Sequence, residues 1–137
     1  MSDLYDKTLA VRLAPIAEAL EILSEPQIVA RVGSAPISLR HQPWIIDYAG
    51  ARMLFIFWPL GSVPNVYHVH IACPLQSIRA CRILAKGVDE WLFSIGAEVL
   101  VTSCPEGKIA NMARKLGWTE IGVKCSLVHF IKLRDRG

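Results

Sequence analysis

Between Asn65 and Trp118 the sequence spells strand, helix, strand, helix, and this order limits the possible folds more than any other stretch. Val66-Tyr67-His68-Val69-His70-Ile71-Ala72 reads as a strand, stopped by Cys73-Pro74. Leu75-Gln76 leads to Ser77, a natural N-cap, and a helix fits Ile78 to Ile95 with Gly96 as its closing residue. Val99-Leu100-Val101-Thr102-Ser103 reads as a second strand, and Lys108 to Leu116 as a second helix ended by Gly117. Such a crossover makes the two strands parallel neighbours.

The flanking chain reads as the rest of a sheet. Residues 1–10 suit a loose arm or an edge strand. Pro15 opens a short helix with Ile16, Leu20 and Leu23 at helical spacing. Ser24-Glu25-Pro26-Gln27 is a capping box for a second short helix, with Ile28, Val29 and Val32 as its apolar side. Gly33 to Pro43 is loop, with room for a short strand at Ile37-Ser38-Leu39. Trp44 to Tyr48, Ala49-Gly50 and Arg52 to Trp58 form a hairpin. On the long helix, Ile78, Cys81, Leu84, Ala85, Val88, Trp91, Leu92 and Ile95 form one stripe, opposite Arg79, Arg82, Lys86, Asp89 and Glu90. Gly87 interrupts this helix and allows close packing on a sheet. The last helix turns Ile109, Met112, Ala113 and Leu116 inward. Glu120 to Val123, a turn near Lys124-Cys125-Ser126, and Leu127 to Leu133 form a final hairpin. The expectation is one α/β domain over 1–137, with a helical region at 1–43 and a core at 44–133. Its sheet is mixed, mostly antiparallel, of about six strands, with helices on both faces.

A chain of 137 residues with 53% hydrophobic and 20% charged side chains can bury a core. The longest apolar run, Met53 to Leu60, is strand-sized and broken by Pro59, so no membrane partner is expected. The N-terminus carries acids where a secretory leader carries bases, and a cytoplasmic location is the expectation. Cys73, Cys81, Cys104 and Cys125 lack any C-x-x-C pairing and read as small reduced core residues; no metal centre is expected. Residues 1–68 hold five basic and six acidic side chains, and residues 69–137 hold ten and six. The basic excess suits an anionic ligand near the crossover. No nucleic-acid motif accompanies it.

Three stretches resemble the GCN5-related N-acetyltransferases, the GNAT superfamily, over residues 44–133. They are the hairpin with the strand ending in Cys73-Pro74, the turn Gln76-Ser77-Ile78-Arg79-Ala80-Cys81 opening the long helix, and Ala110-Asn111-Met112-Ala113-Arg114-Lys115-Leu116-Gly117-Trp118, much like the family's A-x-K-L-G-F ending. The chain is most similar to small GNAT-like proteins of tailed phages, some described as head-assembly proteins. The resemblance implies an acyl-CoA N-acyltransferase fold and acetyl-CoA as cofactor. The pantetheine arm would pair with the strand at Ile71, Ala72 and Cys73. The pyrophosphate would lie on the helix start at Ser77, Ile78, Arg79, Ala80, Cys81 and Arg82. The implied reaction moves an acetyl group to an amine. The alternative is a non-catalytic assembly module with a viral protein partner, in host cytoplasm or virion.

The residues depart from the family's pattern in three places. No glycine stands in the helix-opening turn, where Arg79 and Arg82 offer charge instead. Ala113 occupies the position of the family's tyrosine acid. Glu106 stands where an asparagine often contacts the cofactor, and its carboxylate would repel an anion. His70 and His68 share one face of the first strand and are the candidate bases; a solvent-facing strand edge is the plainer reading. Ser103 and Cys104 end the second strand, and a packed cysteine fits better than a nucleophile.

Overall fold

The computed structural model describes residues 8–25, 41–72 and 77–135. The second short helix, the loop up to residue 40 and Cys73 lie outside the described residues. The elements are β1 (Ala10–Leu13), α1 (Ile16–Leu23), β2 (Trp44–Tyr48), β3 (Ala51–Pro59), β4 (Val66–Ala72), α2 (Ile78–Ser94), β5 (Val99–Cys104), α3 (Lys108–Lys115), β6 (Thr119–Lys124) and β7 (Leu127–Leu133). Among the described residues the sheet has seven strands in the order β1-β2-β3-β4-β5-β7-β6. Only β4–β5 is parallel among the registered pairs; β1–β2, β2–β3, β5–β7 and β6–β7 are antiparallel. The strand beyond the expected six is β1. The chain forms two compact units: the residues up to Ile56 with Ile71–Val88, and Phe57–His70 with the residues from Asp89 onward.

In the first unit, Ala49 and Gly50 both take positive φ (49° and 83°), the turn that joins β2 and β3 in two residues. Strand alternation sends Ile45 and Ile46 to opposite faces. Ile45 packs with Ala14, Ala19, Ile22, Leu54 and Ala72, so α1 covers that face. Ile46 faces Gly87 of α2 on the other. Helices therefore lie on both faces. The apolar stripe of α1 is not the one expected: Ile16 (65%) and Leu20 (50%) are exposed, and Ala19 and Ile22 are fully buried. Eight residues give too few turns to fix the phase of the pattern, and the polar side decides it. Arg12 of β1 bonds both Glu18 (2.8 Å) and Asp47 (2.6 Å), while Arg52 of β3 bonds Glu18 (2.6 Å) and Glu21 (2.9 Å). Glu18 must face the sheet to reach both arginines. Arg12, and then Arg52, hold its carboxyl at about 2, against the opposing effect of burial.

In the second unit, the end of α2 and all of α3 lie on one face. Trp91 meets Phe57 edge-on at 5.8 Å, and Phe57 meets Tyr67 at 5.9 Å. Arg114 of α3 lies 5.6 Å over the ring of Phe130. Asp89 departs from expectation. It is not on the solvated side of α2 but buried, at 4% exposure. Its Oδ2 accepts from Trp118 Nε1 and from Lys132 Nζ, each at 3.0 Å. Burial pushes its carboxyl up, opposed by the Lys132 charge and both hydrogen bonds. The stripe of α2 holds through Leu84, Ala85, Val88 and Leu92, but Ile78 and Ile95 at its ends are exposed. On α3, Ala110 and Ala113 are buried. The β6–β7 turn is Cys125-Ser126, both at positive φ, and Cys125 is exposed rather than part of a core. Beta-strand β6 is exposed along its length and carries an irregularity between Glu120 and Gly122.

Two stability outcomes follow from these contacts. A Cβ on Gly87 would stand 2.8 Å from Ile46 Cδ1 and 2.9 Å from Leu9 Cδ1. Both are ends of flexible side chains. Gly87→Ala should therefore fall within about 1 kcal/mol of the parent, helix propensity offsetting the crowding. Gly87→Leu should lose about 2 kcal/mol or more in urea unfolding. Asp89→Ala should cost about 3–5 kcal/mol, because it strands the Lys132 charge and the Trp118 N–H. Asp89→Asn, which keeps an acceptor for Trp118, should cost less.

Candidate functional site

The parallel ladder stops early. Val66, Tyr67 and His68 pair with Val99, Leu100 and Val101, and the register ends there, although β4 runs on to Ala72 and β5 to Cys104. One residue past the break, Thr102 Oγ1 donates to the Val69 carbonyl oxygen at 2.7 Å. A side chain has taken an acceptor that the ladder would have used. On its other side β5 stays paired with β7 through Cys104↔Val128, so β5 is held while the two parallel strands part.

The side chains of β4 sort by face. Tyr67 joins the aromatic contacts beneath α2, so His68 and His70 point to the other side. There they lie against Trp58. The ring centroids are 4.7 Å apart for Trp58–His68, 5.4 Å for Trp58–His70 and 5.0 Å for His68–His70, with planes within 13–17°. These near-equal separations mean that every pair of rings is offset. Neither histidine is the solvent-facing residue of a strand edge; both are half-buried. Burial, then the charge of His129, lowers His68. Burial, then His68, pushes His70 down to about 4. Both imidazoles are therefore neutral near pH 7, with a lone pair on one ring nitrogen. His68 Nε2 is buried and has no hydrogen-bond partner.

The candidate cofactor residues are exposed where charge is needed. Ser77 Oγ accepts from the Ala80 N–H at 3.1 Å, and Cys81 N–H bonds the Ser77 carbonyl at 3.0 Å. Ser77 is thus the N-cap, and it occupies one of the N–H groups that an anion at this helix end would use. Arg79 and Arg82 are exposed, three residues apart on one side of the helix. The first turn of α2 fits a phosphate through guanidinium charge, with less backbone to offer. Ile71 is half-buried and Ala72 buried within the α1 cluster. Ile78 is 67% exposed, so it flanks this turn and is no part of the core.

Around β5 the other candidates resolve. Glu106 is not a bare carboxylate: Arg114 holds both its oxygens, at 2.7 and 2.9 Å, and also bonds Glu120 and Asn111. Arg114 keeps the Glu106 carboxyl low and neutralises the repulsion that the sequence implied. Burial, then Glu106, raises the Cys104 thiol, which leaves it a poor nucleophile. Ala113 is buried against the sheet and offers no acid. Among the described residues no group of three or more His, Cys, Asp or Glu side chains could hold a metal, and no helix is long and apolar enough to cross a membrane. Trp58 and His129 escaped the sequence reading. Their only signal was alternation within strands, which puts a residue on a face without saying what it meets there.

Because His70 is held near 4 when folded and titrates near 6.5 when unfolded, the unfolded chain binds the extra proton between those values. Stability should therefore fall as pH drops from about 6.5 to 4, with the share of His70 on the order of 2 kcal/mol. Urea unfolding at several pH values should show this, and His70→Phe, which keeps a flat ring, should flatten the dependence in that window.

No protein-family profile matches the chain, and no curated protein sequence does. Solved structures do match. The aminoglycoside acetyltransferase AAC(6')-Ib in complex with coenzyme A superposes with a TM-score of 0.70 at 16% identity, over 93% of this chain and 95% of its own. The same enzyme with paromomycin and acetyl-CoA gives 0.69, also at 16% identity, over 93% and 94%. An N-acetyltransferase from Staphylococcus aureus Mu50 gives 0.63 at 11% identity, over 92% and 98%. These likenesses are of fold, and they bear out the expected architecture: the chain has the mixed α/β fold of the GNAT acyl-CoA N-acyltransferases.

Proposed function

We propose that the protein is an acyl-CoA-dependent N-acyltransferase that moves an acetyl group to an amine. The observation that carries this reading is the early end of the β4–β5 ladder at His68–Val101, with Thr102 closing off the Val69 carbonyl. Parallel strands that part in a fold of this kind leave strand backbone for an extended ligand to pair with. Neighbours of the same fold are bound to coenzyme A or acetyl-CoA, which supports the same ligand here. Acetyl-CoA would supply the activated acyl group. Ile71, Ala72 and Cys73 are proposed to pair with its arm, and Ser77, Ile78, Arg79, Ala80, Cys81 and Arg82 to hold its phosphates, chiefly through the two arginines. His68 is the better base, since its Nε2 is buried and unpartnered, and a neutral imidazole can accept a proton from an attacking amine. His70, held at about 4 by burial and then by His68, is the weaker one. A cytoplasmic setting, where acetyl-CoA is made, goes with this reading.

One observation favours a second reading, a non-catalytic interaction module such as a phage head-assembly protein with a viral partner. The helix-opening turn has side chains where the family has glycine, and Ser77 already consumes the Ala80 N–H. Calorimetric titration with acetyl-CoA and with CoA separates the two. The acyltransferase reading expects saturable binding, weakened about tenfold by Arg79→Glu. Absence of binding at millimolar CoA would overturn it and leave the module.

A further inference from the structure

The backbone of β5 divides its hydrogen bonds between two neighbours, and the division leaves one donor over. Along a strand, the N–H and carbonyl of one residue point to one neighbour and those of the next residue to the other. Arg134 N–H donates to the Glu98 carbonyl at 2.9 Å, so the even-numbered residues of β5 bond β7. Val99 N–H donates to the Asn65 carbonyl at 3.2 Å, so the odd-numbered ones bond β4. In that phase the Val101 N–H goes to the Tyr67 carbonyl, and the next bond of the ladder would take the Ser103 N–H to the Val69 carbonyl. The register stops one step short of it, at His68–Val101, and Thr102 Oγ1 donates to the Val69 carbonyl at 2.7 Å instead. Val69 keeps a partner, and the Ser103 N–H loses its own. This is not a frayed strand end. Ser103 stays in register with His129, and the pairing runs on to Cys104–Val128. Fraying would leave both groups of the broken bond to water. Here one is taken by a side chain, and the other is held in place, half-buried, by the pairing with β7. A strand donor left over in that way costs stability unless something outside the ladder accepts from it.

We propose that the Ser103 N–H donates to an amide carbonyl in the arm of acyl-CoA, and that Thr102 is the positioning residue that keeps this donor free. The role rests on the acyltransferase reading and adds a contact from β5 to those of β4 and α2. The pantetheine arm is an extended chain with amide groups, and its carbonyls can take strand N–H groups as a neighbouring strand would. A donor fixed by a paired strand loses little freedom on binding. Thr102 acts through Val69 rather than on the ligand: its hydroxyl denies Ser103 the carbonyl that the ladder would have supplied.

Backbone amide exchange, read residue by residue by NMR on the full chain, tests both parts. Without ligand, the Ser103 amide should be about tenfold less protected than that of Val101. Thr102→Val removes the hydroxyl and returns the Val69 carbonyl to Ser103, so the Ser103 amide should slow by about tenfold. Thr102→Ser, which keeps the hydroxyl, should match the parent. Mere loss of stability would speed exchange, so slowing separates the positioning role from a structural one. A Ser103 amide as protected as that of Val101 in the parent, or unmoved by Thr102→Val, overturns the role of Thr102. Saturating CoA should slow the parent's Ser103 amide by about tenfold. In calorimetry, Thr102→Val should bind CoA about tenfold more weakly, and Thr102→Ser with the parent's affinity. CoA that binds without slowing the Ser103 amide, or that binds Thr102→Val as it binds the parent, overturns the ligand contact. Absence of CoA binding overturns the acyltransferase reading and that contact with it, while exchange in the ligand-free chain still decides the part played by Thr102.

Discussion

Two parallel strands share a ladder only while their backbones stay about 4.8 Å apart. In this protein β4 and β5 give up that spacing after His68–Val101, while β5 keeps its pairing with β7. The parting is stabilised on both sides. Thr102 satisfies the Val69 carbonyl that would otherwise be left bare, and six residues of β5 remain zipped to β7. The strands therefore separate without leaving a buried acceptor unpaired at that point.

Within each unit the polar groups sort by partner. Beneath α2 the one buried carboxylate, among the described residues, is fixed by Trp118 and Lys132 and has no spare function. In the first unit Arg12 and Arg52 fasten α1 to β1, β2 and β3 through ordinary ion pairs, each of modest worth. On the face of the second unit opposite its described helices, His68 and His70 are neutral near pH 7 and stacked on a tryptophan. Chemistry that needs a proton acceptor in a dry setting has its natural place there.

Much of this was legible in the sequence. Val66 to Ala72 was marked by its alternation and by Cys73-Pro74, Ser77 by its place before an apolar stripe, and Gly96 by its position after one. The hairpins were legible because Ala49-Gly50 and Cys125-Ser126 fall between strand-like runs. What was hidden depended on contacts far away in the chain. Asp89 looked solvated because aspartate usually is; its burial depends on partners 29 and 43 residues on. The α1 face was misread because two turns of helix carry two equally good apolar phases, and Glu18 chooses between them by reaching two arginines. His129 had nothing local to distinguish it from any strand histidine. The base candidates were visible on β4, but their setting of stacked rings and buried nitrogens comes from β3 and β7.

The bulged strand β6 has a consequence of its own. It is the last strand of the sheet, with six exposed residues, including Ile121 at 61% and Val123 at 68%. A flat strand of that composition would template the edge of another molecule. The slip between Glu120 and Gly122 breaks the regular row of donors and acceptors, and Lys124 closes the strand with a charge. The sheet is thereby capped against growth from this side, and two exposed aliphatic residues are carried without inviting fibrils.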